Sequence, residues 1–238
     1  MRVLVITGAG VSAESGIPTF RGKDGYWRNL DPAKLATPEA FARDPKLVWD
    51  WYRERRQGIC TARPNAAHEA ITRLSIFAQE FLLVTQNVDD LHARAGLSSD
   101  KMVQIHGDIF VTHCVSCDFS RREIESENVD LPKCPRCDAL LRPGVVWFGE
   151  QLDPQKIDSV ESFLKGGPCD PVLVIGTTAI FGYIVDWALR ARGEAGRLIE
   201  LNPDETGLSR FASQTIREGA AIALPRLVEQ LIAHQSKD

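Results

Sequence analysis

Four aliphatic residues, 3–6, run straight into Thr7-Gly8-Ala9-Gly10-Val11-Ser12-Ala13. A short aliphatic run without polar alternation suits a strand buried on both faces, the kind a parallel sheet needs. Glycines directly after it allow a tight turn and bring backbone N–H groups, at the start of a following helix, close to a ligand's phosphates. The spacing is G-x-G-x-x-A, which alone fits a dinucleotide-binding loop or an ordinary strand-to-helix turn. The acidic ribose partner usual about 20 residues further on, at the end of a second strand, has no counterpart, since Asp24 and Asp31 fall in a loop-like stretch. A dinucleotide here would be held differently from one in a dehydrogenase.

Similar apolar runs at 81–85, 103–105, 171–175, 197–201 and 220–224 are expected as further strands, and 65–78 and 184–192 carry helical patterns. Strands alternating with helices predict an α/β fold with a doubly wound, Rossmann-like parallel sheet. Two stretches break the rhythm. Residues 19 to about 59 read as loop and then helices, with Thr37 and Asp44 as N-caps before Pro38 and Pro45. Residues 107–143 are polar and carry two cysteine pairs. The expectation is one catalytic domain over 1–238. Its sheet lobe is drawn from 1–19, 77–107 and 144–238; its small lobe is a helical insertion, 20–76, with a zinc ribbon, 108–143. Ligands of open α/β sheets bind beyond the strands' carboxyl ends, so the site belongs in the cleft between the lobes.

The net charge of −4 offers no general attraction to nucleic acid or to an anionic membrane. No apolar run approaches the roughly 20 residues that span a bilayer, and residues 3–6 are too few for a signal-peptide core. A cytoplasmic monomer without nucleic-acid or membrane partners is the expectation. In that compartment Cys114-x-x-Cys117 and Cys134-x-x-Cys137 read as a metal site rather than disulfides. Four thiolates suit one tetrahedral Zn2+ and leave no position for water, so its role would be structural. Cys60 and Cys169 are expected as small core residues.

Gln86, Asn87 and Asp89 follow one predicted strand and His106 follows another, so all point toward the cleft where α/β enzymes place their chemistry. An imidazole suits a general base at neutral pH. His68, His92, His113 and His234 read as structural or surface residues. No G-x-S-x-G nucleophile elbow is present.

The stretch Gly8-Ala9-Gly10-Val11-Ser12-Ala13-Glu14-Ser15-Gly16-Ile17-Pro18-Thr19-Phe20-Arg21 resembles the signature of the sirtuins, NAD-dependent protein deacylases. The likeness continues through Thr85-Gln86-Asn87-Val88-Asp89, His106-Gly107, the cysteine pairs, Arg142-Pro143-Gly144-Val145-Val146-Trp147-Phe148-Gly149-Glu150, Gly176-Thr177-Thr178 and Leu201-Asn202-Pro203, covering essentially the whole chain. It implies that NAD is consumed: an acyl-lysine carbonyl attacks the nicotinamide ribose, and His106 activates a ribose hydroxyl that captures the acyl group. Asn87 would order the ribose and a water, and Asp89 would hold the nicotinamide carboxamide. Phe20 would shield the intermediate and Arg21 would lie near the phosphates. Gly8, Ala9, Gly10, Ser12, Ala13, Glu14, Ile17, Pro18, Trp27, Gln86, Gly176, Thr177 and Thr178 would complete the NAD site, with Asn202, Pro203, Asp204 and Ala220 toward the adenine. Acylated proteins would be the substrates, contacted by Val146, Phe148, Gly149 and Glu150. The first strand at the start of the sequence leads to the expectation of a chain without the long tails of some relatives.

Tyr52 and Arg55, three apart, share a helix face with Val48 and Trp51. Alone, this is an amphipathic helix with a solvated basic end. Within the resemblance, Tyr-x-x-Arg is similar to the branch that removes succinyl, malonyl and glutaryl groups, where the pair binds the distal carboxylate. An always-charged planar fork beside a hydroxyl suits that ligand. One departure stands out: the family pattern continues from Gly-Thr-Ser to a valine, a proline and small residues. Here Thr178 is followed by Ala179-Ile180-Phe181-Gly182-Tyr183, bulky in a loop expected, with 148–152, to flank the substrate backbone as an added strand. The rival readings are mono-ADP-ribosyl transfer, a nicotinamide-linked dehydrogenase, and a silent NAD-sensing zinc-ribbon scaffold.

Overall fold

The computed structural model describes residues 1–19, 31–123 and 130–235. The runs at 3–6, 81–85, 103–105, 171–175 and 197–201 become β1 (Arg2–Thr7), β2 (Glu80–Thr85), β3 (Met102–Gln104), β7 (Val172–Ile175) and β8 (Leu198–Leu201). They form a parallel six-stranded sheet, completed by β9 (Gln214–Ile216), in the order β3-β2-β1-β7-β8-β9. This is the doubly wound arrangement, and its order reverses between β1 and β7.

Residues 220–224 are not a strand. They open helix α8 (Ala220–Gln235), and the sixth strand is the short, largely exposed β9. A brief apolar run does not separate strand from buried helix; here the register does, because Ala220, Ala223, Leu224, Leu227, Val228 and Leu231 are the buried positions, one stripe at helical spacing.

Each strand feeds both layers. Val3, Val5 and Leu83 meet α8 and α4 (Ala66–Phe77) through Ala67, Ile71, Leu74 and Leu224. Leu4, Ile6 and Val84 meet α6 (Pro154–Lys165) and α7 (Gly182–Arg192) through Val160, Ile184 and Trp187. Burial on two faces explains why these strands lack polar alternation.

Between β1 and α4 lie α1 (Pro32–Leu35), α2 (Pro38–Arg43) and α3 (Pro45–Thr61). Thr37 and Asp44 cap as expected, accepting from Ala40 N and Leu47 N at 3.0 Å each. A second, antiparallel sheet is formed by β4 (Gly107–Cys114), β5 (Ser120–Arg122) and β6 (Leu141–Val145), ordered β5-β4-β6. Its apolar face, with Ile109, Phe110 and Leu141, packs on Trp49, Trp51 and Tyr52 of α3. The short α5 (Leu91–Arg94) follows β2. Among the described residues no helix is long and apolar enough to cross a membrane.

Candidate active site

The loops leaving β1 and β7 touch where the strand order reverses. Gly8 N donates to Ile175 O at 3.0 Å and Gly10 N to Gly176 O at 2.9 Å. A Cβ on Gly10 would lie 2.6 Å from Gly176 Cα, and one on Gly176, whose φ is +59°, would lie 2.5 Å from Val11 N. Glycine is therefore required for loop–loop contact at the crevice, whatever a ligand adds. The expected α-helix after this loop is instead a 3-10 segment, Ala9–Ser15, closed by left-handed Gly16. Gly16 and Pro18 stop the helix before it lengthens. Glu14 accepts from Ala221 N at 2.7 Å and so caps the start of α8, where Ala220 is buried.

A buried polar network joins the ends of β1 and β2. Ser12 Oγ donates to Asp89 Oδ2 at 3.0 Å and accepts from Asn87 Nδ2 at 3.1 Å. Gln86 Nε2 reaches Thr177 Oγ1 at 2.9 Å, and Asn202 Nδ2 donates to Thr177 O, also at 2.9 Å, linking the loops after β2, β7 and β8. Burial pushes the Asp89 carboxyl up, against the pull of its hydrogen bonds from Leu91 N and Ser12. His68 and His92, expected as structural, pack ring to ring at 4.7 Å behind this network. His92 Nε2 lies 3.2 Å from Thr7 Oγ1, and His68 Nε2 lies 3.4 Å from Ser12 Oγ. Burial depresses both imidazoles, His68 to about 4.

His106 follows β3. Its Nδ1 lies 3.0 Å from Gln86 O; a carbonyl only accepts, so Nδ1 carries the proton and the lone pair is on Nε2. Burial lowers its pKa; the Gln86 carbonyl opposes this and Lys156 adds to it. Nε2 is thus the acceptor nitrogen of the ring.

A recess beside this network is lined by Ser12, Ile17, Pro18, Arg55, Asn87 and Asp89, among others. Arg55 stacks its guanidinium over the Trp51 ring at 4.9 Å and the Tyr52 ring at 5.7 Å. Burial lowers its pKa, and the charges of Tyr52 and Asp89 partly restore it. Tyr52 is buried in the wall behind, where its hydroxyl accepts from Trp147 Nε1 at 3.0 Å.

The four paired cysteines converge, every Sγ lying within 4.8 Å of the others. The Cys114–Cys137 and Cys117–Cys134 separations are 3.4 and 3.6 Å, against roughly 3.8 Å for sulfurs at a tetrahedral zinc with 2.3 Å bonds. Backbone N–H groups of Ser116 and Arg136 point at Cys114 Sγ and Cys134 Sγ, as thiolate ligands require. The donor set fits structural zinc. Cys169 is buried as expected, but Cys60 is exposed: it lies near the end of α3, off the stripe that Val48, Tyr52 and Ile59 bury.

A family model described as the Sir2 family matches residues 8–181. The chain belongs to the Sir2 family. A curated Sir2 relative from Archaeoglobus fulgidus, named NAD-dependent protein deacylase 1, is 45% identical over 231 residues, covering 96% of this chain and 92% of its own. Of solved structures, a mutant Sir2 homologue in complex with 2'-O-acetyl ADP ribose has a TM-score of 0.92 at 42% identity, covering 99% of this chain and 93% of that one. A Sir2 homolog–NAD complex has a TM-score of 0.91, also at 42% identity, covering 98% and 90%.

In this Sir2 chain Gly8, Ala9, Gly10, Ser12, Gln86, Asn87, Asp89, Gly176, Thr177 and Asn202 come together on the adjoining loops. Phe20, Arg21 and Trp27 lie outside the described residues. Pro203 and Asp204 are exposed beyond β8. Of the residues expected to contact substrate, Val146 N donates to His106 O at 2.9 Å, Phe148 is exposed, and Gly149 takes a φ of +87°. Glu150 is engaged internally, by Arg142 and by Trp147 N at 2.8 Å. Reasoning from sequence missed the direct contact of Tyr183 with His106, 2.6 Å between Oη and Nε2. The two residues lie far apart in the chain, and no local pattern links them.

Proposed function

We propose that this Sir2-family chain is an NAD-dependent protein-lysine deacylase acting best on acyl groups that end in a carboxylate (succinyl, malonyl, glutaryl) and more weakly on acetyl. Its products are nicotinamide, free lysine and 2'-O-acyl-ADP-ribose. NAD, when bound, supplies a ribose carbon made electrophilic by the departure of nicotinamide. Asn87 and Asp89, locked through Ser12, orient the ribose and carboxamide. His106, neutral with its lone pair on Nε2, accepts the proton of the hydroxyl that captures the acyl group.

The acidic-acyl preference is carried by one observation: Arg55 lines the same recess as Asn87 and Asp89. A carboxylate arriving there gains a charge-assisted hydrogen bond, about 1.5–3 kcal/mol. We further propose that α1–α3 and the cysteine-bearing sheet together form the small lobe over the cleft, stabilised by zinc; α4, inside the expected 20–76 insertion, packs on the large sheet instead. The test is nicotinamide release from one peptide sequence carrying acetyl, malonyl, succinyl or glutaryl lysine. Preference for the acidic groups is expected. Equal rates with acetyl would refute the preference, and no release from any peptide would refute the activity.

A further inference from the structure

His106 has one nitrogen with which to act as a base, and that nitrogen is taken. With Nδ1–H given to Gln86 O, the Nε2 lone pair accepts from the Tyr183 hydroxyl at 2.6 Å. Burial raises the phenol to about 12, so the group is a proton donor. The ring is braced on two sides: Phe181 stacks on it, 5.5 Å between centroids and 14° from parallel, and Trp187 packs at 5.1 Å. Phe181 also meets the His106 ring in an edge-type contact, 5.6 Å between centroids and 74° between planes. The loop leading into α7, which carries Tyr183 and Trp187, is under backbone strain. Ala179 is left-handed at φ +51°, a conformation that disfavours a side chain, and Ile180 next to it is 63% exposed. The other charged group bearing on His106 is Lys156 of α6, which donates to Gln104 O at 2.7 Å.

We propose that Tyr183 is the resting partner of His106, a positioning residue whose hydroxyl holds the lone pair on Nε2 and is exchanged for a hydroxyl of the incoming ribose. The inference deepens the deacylase reading and rests on His106 as its base. The hydrogen bonds at stake are one for one. The Tyr183 O–H···Nε2 bond breaks, a ribose O–H···Nε2 bond forms, and no covalent bond changes. Binding NAD in this protein therefore carries the cost of removing an internal hydrogen bond.

Tyr183→Phe removes the hydroxyl and keeps the stacked ring, so the fold is retained. Two measurements test it without turnover. In 15N spectra of labelled protein, assigned with His106→Ala, neutral His106 is expected to show a protonated Nδ1 and a hydrogen-bonded Nε2, and the Nε2 resonance is expected to move in Tyr183→Phe. By calorimetry, Tyr183→Phe is expected to bind NAD about five-fold more tightly, the gain of one net hydrogen bond no longer displaced. Unchanged His106 resonances, or NAD affinity that is equal or weaker in the variant, would overturn the proposal. An inactive wild-type protein would count against the deacylase reading, while these spectra and affinities would still judge Tyr183.

Discussion

Replacing Arg55 with methionine separates acyl recognition from the chemistry. The Arg55 stem lies along α3, and its guanidinium rests on the Trp51 and Tyr52 rings. Methionine keeps the apolar contact and removes the fork. The recess walls include Ile17, Pro18 and Ile59, so a carboxylate at Arg55 is shielded from bulk water and the loss falls at the upper side of the usual range for a charge-assisted bond. That range, about 1.5–3 kcal/mol, corresponds to roughly 10- to 150-fold in kcat/KM for a succinyl peptide. The acetyl peptide, with no distal charge, should change by less than about three-fold.

Tyr52 is left in place because its hydroxyl accepts the buried Trp147 indole N–H. A phenylalanine there would leave that donor unsatisfied and mix a stability defect into the kinetics. Arg55 also opposes the burial that raises the Asp89 pKa, so wild type and variant are compared across a pH series rather than at one pH. The measurement is kcat/KM for succinyl and acetyl versions of one peptide, wild type against Arg55→Met. A parallel fall in both, or no change in either, would refute a role for Arg55 in reading the acyl terminus.

Two further outcomes follow from the buried groups. His68 and His92 are depressed by burial, so below pH 6.5 the unfolded chain binds protons that the folded chain refuses. Stability should then fall as the pH drops below about 6.5, for His68 toward its folded value near 4. Urea midpoints should show roughly 2 kcal/mol lost between pH 7 and pH 5 from His68 alone, and a midpoint indifferent to pH across that window would contradict the assignment. Cys134→Ser removes one of four converging thiolates, so the antiparallel sheet should become sensitive to limited proteolysis and bound zinc should drop below one equivalent by elemental analysis; full zinc occupancy in the variant would rule out the four-cysteine site.

Much of this protein was readable before folding because its signals are local. Strand β1 and its glycine loop, the caps at Thr37 and Asp44, the two C-x-x-C pairs and the residues after β2 and β3 are each set by neighbours a few positions away. Apolar runs of three to five residues marked the parallel strands because both faces are buried, but the same feature misplaced 220–224, where only packing of α8 against the sheet selects helix. Three matters were decided by tertiary structure alone. The crossing of the β1 and β7 loops dictates why Gly10 and Gly176 must lack side chains. The packing of α3 on the second sheet turns Tyr52 toward Trp147 and leaves Arg55 at the recess. The approach of α7 to β3 places the Tyr183 phenol on His106. Local propensity acts over a few residues, whereas these contacts join segments whose separation in the chain only the sheet's crossovers close.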